Sequence, residues 1–335
     1  MSSAFWIGTY TGAAGNGRGI YRADRSPDGV LEAPVLAVEV DSPSYLAARG
    51  SALYAVSEQD PGAVLAFDAA GGRLRPTGSA AVAAAPCHLA AGEGVVVAAS
   101  YGTGEVSAHP LTDGRLDGPV STVPGHGSGP RSDRQEGPHA HAVAFAPDAT
   151  VLSTDLGADL LRAHRVEGGN LRPVADIPLP AGCGPRHMVI HPDGTVFVLT
   201  ELGRTVIALT PGAGYADLRI RAETPVTVAA TDDGSSGAAI RLGAGGRFVY
   251  TSTRGADVIT THEVTDVGLR PVVDTPCGGT WPRDIWVDGG WLHVANERSD
   301  EISTFRLDPA TGVPELVGSQ VVPSPVCVVA AADRA

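Results

Sequence analysis

The chain contains no lysine: its 24 basic residues are all arginine. That excludes catalysis through a lysine Schiff base and a lysine-anchored pyridoxal phosphate. It leaves cation chemistry to a planar group suited to bidentate recognition of carboxylate or phosphate. With 37 acidic residues the net charge is −13, which argues against nucleic acid as a partner, because neutralising phosphates needs clustered cations. Cysteine is scarce, four in 335 residues. Cys87, Cys183, Cys277 and Cys327 form no C-x-x-C pair, so small buried thiols in a reducing compartment are expected rather than disulfides or a thiolate metal site. No apolar stretch is long enough to span a membrane, and the Met1 to Trp6 start lacks the basic and apolar regions of a leader, so a cytoplasmic protein with no membrane partner is expected. A G-x-S-x-G elbow, a P-loop and a dinucleotide fingerprint in strand-to-helix context are all missing. No long segment keeps a helical period with caps.

Glycine and proline, by contrast, are abundant, 43 and 26 residues, as a turn-dense all-β chain requires. Short apolar runs such as Leu53-Tyr-Ala-Val, Val95-Val-Val-Ala, Val196-Phe-Val-Leu and Phe248-Val-Tyr-Thr are bounded by Gly, Asp and Pro, which marks them as strands. One phrase recurs seven times, opening at Pro43, Pro86, Ala140, Pro185, Gly237, Pro282 and Pro325, with spacings between 43 and 54 residues. A β-patterned repeat of that length predicts a seven-bladed propeller of four-stranded antiparallel blades in one domain over 1–335, since no blade can bury its own apolar face. After Pro325 only one strand remains. The N-terminal segments Phe5 to Tyr10, Gly19 to Ala23 and Val35 to Val40 lack an opening strand, so Val326 to Ala330 is expected to pair with them and close the ring.

A meander of strands A to D places the loop before A and the turn between B and C at the same end. This gathers Tyr10, Glu58, Tyr101, Asp155, Glu201, Arg254 and Glu297 from the B–C turns with Tyr45, His88, His139, His141, Arg186, His187 and Arg283 from the strand openings. Imidazoles, guanidinium groups and carboxylates would converge on one mouth of the channel, the arrangement expected of an active site. Each group also has a structural explanation: the opening prolines set φ at strand entry, Glu58 and Asp155 suit turn hydrogen bonds, Glu297 suits a turn residue paired to Arg298, His88 suits a place in the inner ring, and His191 suits a turn. An insertion from Gly125 to Glu136 precedes His139 and would supply a lid or a substrate-binding rim. His139 and His141 lack zinc-type spacing; a ring of Glu58, Asp155, Glu201 and Glu297 is the arrangement in which oxygen ligands would suit calcium. The expectation is that no metal and no other cofactor is used.

Gly184-Pro-Arg-His-Met-Val-Ile-His-Pro192 followed by Thr200-Glu-Leu202 resembles the GPRHMVFHP…NEL segment of the seven-bladed propeller lactonases, a family that includes a propeller-type 6-phosphogluconolactonase and a carboxy-cis,cis-muconate cyclase. The resemblance runs along the whole chain through Pro86-Cys-His88, His141 to Asp148, Thr253-Arg254, Pro282-Arg283 and Ser324-Pro325. It departs at Thr200, where the family usually has Asn, and at Thr253, where Asn or Asp is frequent. The resemblance implies that His141, Arg186, Glu201 and Arg254 stand at one mouth as catalytic residues. His88, His139, His187, Tyr101, Arg283 and Glu297 are expected to bind substrate beside them.

The reading that follows is a lactonase opening a small anionic sugar lactone, with His141 or Glu201 as general base and Arg186 and Arg254 holding the anion and the developing oxyanion. Two alternatives remain open: a cycloisomerase adding a carboxylate across a muconate-type double bond, and a non-catalytic binding platform. A monomer is expected.

Overall fold

The structure, a computed structural model, describes residues 4–118 and 120–331. Met1, Ser2 and Ser3, part of the start from which the absence of a leader was argued, lie outside the described residues. Seven antiparallel sheets follow one another around a ring. The second blade is made of Leu46–Arg49, Ala52–Ser57, Gly62–Asp68 and Arg75–Val82; the fourth of Ala140–Phe145, Val151–Asp155, Leu160–Glu167 and Asn170–Pro178. The fifth comprises Pro185–Ile190, Val196–Thr200, Thr205–Pro211 and Leu218–Pro225; the sixth Ser236–Leu242, Phe248–Arg254, Val258–Thr265 and Gly268–Pro276; the seventh Pro282–Asp288, Trp291–Asn296, Glu301–Leu307 and Pro314–Val321. The third, Pro86–Ala91, Val95–Ser100 and Glu105–Thr112, departs from the expected four strands. Its outer strand is split into Arg115–Leu116 and Ser121–Val123, both paired to Glu105–Thr112, with the left-handed Gly118 (φ 96°) interrupting between them.

The first blade closes the ring as expected. Pro325–Ala330 pairs antiparallel with Ala4–Thr9, setting Phe5 opposite Ala330 and Ile7 opposite Val328, and Gly19–Asp24 and Val35–Glu39 complete the sheet. Alternation along Ala4–Thr9 sends successive side chains to different neighbours. Phe5 and Ile7 pack with Ala295 and Ile302 of the seventh blade, whereas Trp6 packs with Leu46, Leu53 and Phe67 of the second. Second strands are therefore buried on both faces, and Val95–Ser100 and Val196–Thr200 are buried throughout, while the outer strands are largely exposed. Gly8 lies where these blades press together: a Cβ there would stand 2.1 Å from the Pro43 carbonyl oxygen.

A buried ion pair ties four blades across the channel. Arg241, on the sixth inner strand, donates from Nη2 to Asp284 Oδ1 of the seventh at 2.8 Å and to the Tyr45 hydroxyl beside the second at 3.3 Å. Asp284 Oδ2 accepts the backbone N–H of Val328 from the first. Elsewhere in the blades, imidazoles are buried against hydroxyls: His109 on Ser107, His164 on Ser153, His262 on Thr251 and His293 on Thr304, at 2.9 to 3.0 Å. The second ring nitrogen of each is buried without a partner. Burial disfavours the imidazolium and pushes His109, His164 and His262 down to about 4 and His293 to about 3.

Two stability predictions follow from these groups. Each of the four histidines binds its proton more readily in the unfolded chain, near 6.5, than in the fold, so its contribution is complete above that pH and drains away as the pH falls toward 4. The full loss is about 3 kcal/mol for His109, His164 and His262 and about 5 kcal/mol for His293. Thermal melting should be nearly flat from pH 8 to 7 and then drop steeply between pH 6.5 and 4; a midpoint unchanged down to pH 4 would contradict the account. Asp284→Ala should cost about 3 to 5 kcal/mol in a denaturant titration, because it strands Arg241 as an uncompensated buried charge, and replacing both partners by apolar residues of similar volume should recover most of that loss.

Candidate active site

The local geometry of the site repeats from blade to blade. At the start of the inner strand the register slips by one residue, between Pro86 and His88, Ala140 and Ala142, Pro185 and His187, and Pro282 and Asp284. In the first blade the slip lies opposite Gly8 and Thr9, between Pro325 and Cys327. The skipped residue is a β-bulge, a device that re-aims a side chain. Those bulged residues are Cys87, His141, Arg186, Arg283 and Val326, and all five line a single narrow cavity of about 10 Å³ at one mouth of the channel.

In five blades a hydrogen bond fastens the opening of the inner strand to the adjoining B–C turn. The residue before the opening proline is left-handed in five blades, at Ser42, Ala85, Gly184, Trp281 and Ser324 (φ 39° to 65°). Its carbonyl accepts the N–H of Glu58, Tyr101, Glu201, Glu297 and Tyr10 respectively, at 2.8 to 3.1 Å. The φ of a left-handed non-glycine residue carries a steric cost, which the turn hydrogen bonds offset here. Inner-strand openings and B–C turns thus share one end, as the meander argument required.

Glu201 is the centre of charge. Its Oε1 accepts Arg134 at 2.7 Å, and its Oε2 accepts Arg186 at 3.0 Å and Arg254 at 2.8 Å. Burial alone would raise the carboxyl, but Arg254, Arg186 and Arg134 outweigh it and hold Glu201 far below the usual carboxylate range. Arg186 also reaches His187 Nε2 and the Ala238 carbonyl. Burial and then Arg254 push it down to about 10, an effect that Glu201 only partly offsets. Guanidinium groups keep their proton in proteins, so the shift reports a cation with too little counter-charge. Arg254 adds a bond to the Gly237 carbonyl and lies 5.6 Å from the Trp281 ring centroid.

Glu58 and Arg283 also line the cavity, and Tyr10 and Glu297 are their partners. The Tyr10 hydroxyl donates to Glu58 at 3.1 to 3.2 Å and accepts from Arg283. Glu297 pairs with Arg283 at 3.5 Å rather than with Arg298, whose guanidinium stacks 3.4 Å above Trp281. The reading of Glu297 as a partner of Arg298 is corrected on this point: cation–π contact with the indole draws Arg298 away.

The imidazoles divide. His141 sits in the cavity, edge-on to Tyr101 and His187, with Nδ1 3.9 Å from the Cys87 sulfur. Its Nε2 has no hydrogen-bond partner among the described residues. Burial and Arg186 hold it well below the usual histidine range, so it is neutral. His88 stacks on Tyr45 at 3.8 Å and accepts the Val143 N–H, while His187 bridges edge-on between His88 and His141. His139 is set apart from the other imidazoles. Two residues from His141 on one strand entry, it stacks on Tyr101 at 4.4 Å and bonds the Tyr101 carbonyl and Glu136, and it does not line the cavity. Asp155 accepts the His139 and Ala158 N–H groups and pairs with Arg162. His191 closes a turn with Asp193. Among the described residues no three His, Cys, Asp or Glu side chains converge on a metal position: Asp155 and Glu201 each face their own arginines.

Two residues escaped the sequence reading. Arg134 comes from the insertion, whose neighbour Gln135 is fully buried and bonds Leu156 and Asp159, so the loop is anchored. The insertion was visible as extra length, but nothing local distinguished Arg134 from Arg131. Arg241 could have been noticed as an arginine inside an inner strand. A larger cavity, about 1050 Å³, lies at the other end between the second and third blades. Arg49, Asp113 and Arg115 there are exposed, and the Tyr54 hydroxyl is bonded to the Gly114 carbonyl, so it has no comparable convergence of buried charge.

Comparison with known proteins agrees with this geometry. A curated relative from Bacillus subtilis, named 6-phosphogluconolactonase, is 34% identical over 343 aligned residues, covering 96% of this chain and 97% of its own. A solved structure described as the periplasmic gluconolactonase of Pseudomonas aeruginosa superposes with a TM-score of 0.90 at 28% identity, covering 98% and 99% of the two chains. A protein from Lactobacillus plantarum gives 0.91 at 27% identity, covering 98% and 99%. The model of the family described as "Lactonase, 7-bladed beta-propeller" matches residues 4–330, and the chain belongs to that family.

Proposed function

We propose that this protein is a lactonase, a carboxylic-ester hydrolase that opens a small anionic sugar lactone resembling 6-phosphogluconolactone. The observation that carries the reading is a neutral imidazole, His141, sharing one cavity with Arg186, a buried cation short of counter-charge. Four guanidinium groups, Arg134, Arg186, Arg254 and Arg283, stand against the carboxylates of Glu58, Glu201 and Glu297. This local cationic excess in a chain of net charge −13 favours an anion. The relative named 6-phosphogluconolactonase points to the same substrate class. Four buried, free thiols suit the cytoplasm.

His141 serves as the base in preference to Glu201. A carboxylate held far below its usual range by three arginines is a weak proton acceptor, whereas the free Nε2 of a neutral imidazole is a competent one. Water adds to the lactone carbonyl as His141 Nε2 takes its proton. The tetrahedral oxyanion is stabilised by Arg186, with Arg254 held beside it by Glu201. Collapse breaks the bond from the carbonyl carbon to the ring oxygen, which recovers the proton from the imidazolium and leaves as a hydroxyl. Water is the sole co-reactant; His187 lines the cavity beside these groups, with His88 packed on it and Tyr101 packed on His141.

Hydrolysis of 6-phosphoglucono-1,5-lactone and glucono-1,5-lactone, followed by acid release, tests the reading. Arg186→Ala should lower kcat/KM about 10² to 10³-fold and His141→Ala about 10² to 10⁴-fold. Wild-type turnover surviving both changes removes these residues from the mechanism. Because the imidazole must be neutral to act and its pKa lies below 6.5, kcat/KM should be level from pH 8 to 6.5 and fall only on the acid side of the ordinary histidine range.

A further inference from the structure

The cavity is polarised, and its acidic side has no task in the hydrolysis just described. Glu58 lines the same cavity as His141 and Arg186, and among the described residues its carboxylate is hydrogen-bonded by one side-chain group, the Tyr10 hydroxyl. Glu297 forms an ion pair with Arg283, whose charge also acts on Glu58 without a direct salt bridge, and Glu201 has three arginines. Asp284, the other carboxylate lining the cavity, is taken up by Arg241 and the Val328 N–H. Glu58 therefore faces the cavity as an acceptor-only group with room for about four hydrogen bonds and one donor class supplied by the protein. Its backbone is fixed by the bond from its N–H to the Ser42 carbonyl at 3.0 Å, so it cannot withdraw along the chain.

Resting on the lactonase reading, we infer that Glu58, oriented by Tyr10, is the specificity-determining residue that selects polyhydroxylated substrates by accepting hydrogen bonds from the hydroxyls next to the reacting carbonyl, and that it rejects dicarboxylates. The two halves of the site ask different things of one ligand. Beside Arg186 and His141 the ligand must offer a carbonyl or an anionic oxygen; a short distance away, at Glu58, it must offer donors. Vicinal hydroxyls of a sugar acid or its lactone meet both demands. A muconate-type dicarboxylate carries no hydroxyl donors and brings a second negative charge toward the Glu58 carboxylate, an interaction that is costly in a desolvated cavity. The same residue thus both favours the sugar and opposes the alternative substrate class.

Calorimetric titration of the whole protein with gluconate and with adipate, two six-carbon acids differing in hydroxyls and in the second carboxylate, reads this directly and needs no turnover. Wild type should bind gluconate in preference to adipate. Glu58→Gln should weaken gluconate about 10 to 100-fold, the range for hydrogen bonds to a charged group, and strengthen adipate, so the two affinities move in opposite directions. Glu58→Asp, which keeps the charge but retracts it by one methylene, should weaken gluconate without the gain in adipate, and gives a reading if the glutamine variant does not fold. Affinities that move together in Glu58→Gln, or stay where they are, overturn the inference, as does wild-type protein that binds adipate as well as gluconate. Opposite shifts in a protein that hydrolyses no lactone would leave the specificity role standing and sink the hydrolase reading alone.

Discussion

A one-residue bulge, repeated at the entrance of the inner strands, is the constraint on which the site depends. In a regular strand the second residue of the opening phrase would alternate with its neighbours into the packing between blades. The slip in register releases it toward the channel, and it does so at Cys87, His141, Arg186, Arg283 and Val326 alike. In four of these blades the bond from the B–C residue back to the left-handed carbonyl before the strand, and in the fourth blade the bond from Leu156 to the His139 carbonyl, then sets the second functional position against the first. Chemistry varies from blade to blade on a frame that stays constant, which is how a repeat architecture carries an asymmetric site.

The frame holds only because the ring closes. Pairing of Pro325–Ala330 with Ala4–Thr9 brings Tyr10 beside Arg283, residues from opposite ends of the chain. The Arg241–Asp284 pair, reaching Tyr45 and Val328, couples the sixth, seventh, second and first blades under the cavity. A buried pair of this kind adds little net stability, but it ties closure of the ring to the floor of the site.

Around the cavity the charges are arranged by deficit rather than by pairing. Glu201 gathers three arginines and in doing so surrenders any use as a base, while keeping Arg186 and Arg254 in place for an incoming anion. Arg134 joins them from a loop secured by the buried Gln135, so the cationic wall is already assembled in the free protein. Such preorganisation is what electrostatic stabilisation of an oxyanion requires. The imidazole layer of His88, His141 and His187, all kept neutral by burial, supplies a proton acceptor without adding to the charge.

The propeller was legible from the chain because a repeat of blade length reports periodic burial directly: the seven openings, the orphan last strand and the shared end of the A openings and B–C turns all followed from spacing. Gly184-Pro-Arg-His187 and Thr200-Glu-Leu202 pointed to the family and to Arg186 and Glu201. Spacing could not separate His139 from His141, because their fates turn on a bulge that skips His141 and leaves His139 stacked on Tyr101. Nor could it say that Glu297 takes Arg283 and leaves Arg298 to Trp281, that Arg134 would reach Glu201, or that Glu58 would be left with a single phenol. The sequence by itself determined that the strand openings and the B–C turns share one mouth, since strand order and polarity follow from local pattern. Only the tertiary structure decided which of their residues are partners, because pairing depends on the angle between neighbouring blades and on loop paths that no periodicity encodes.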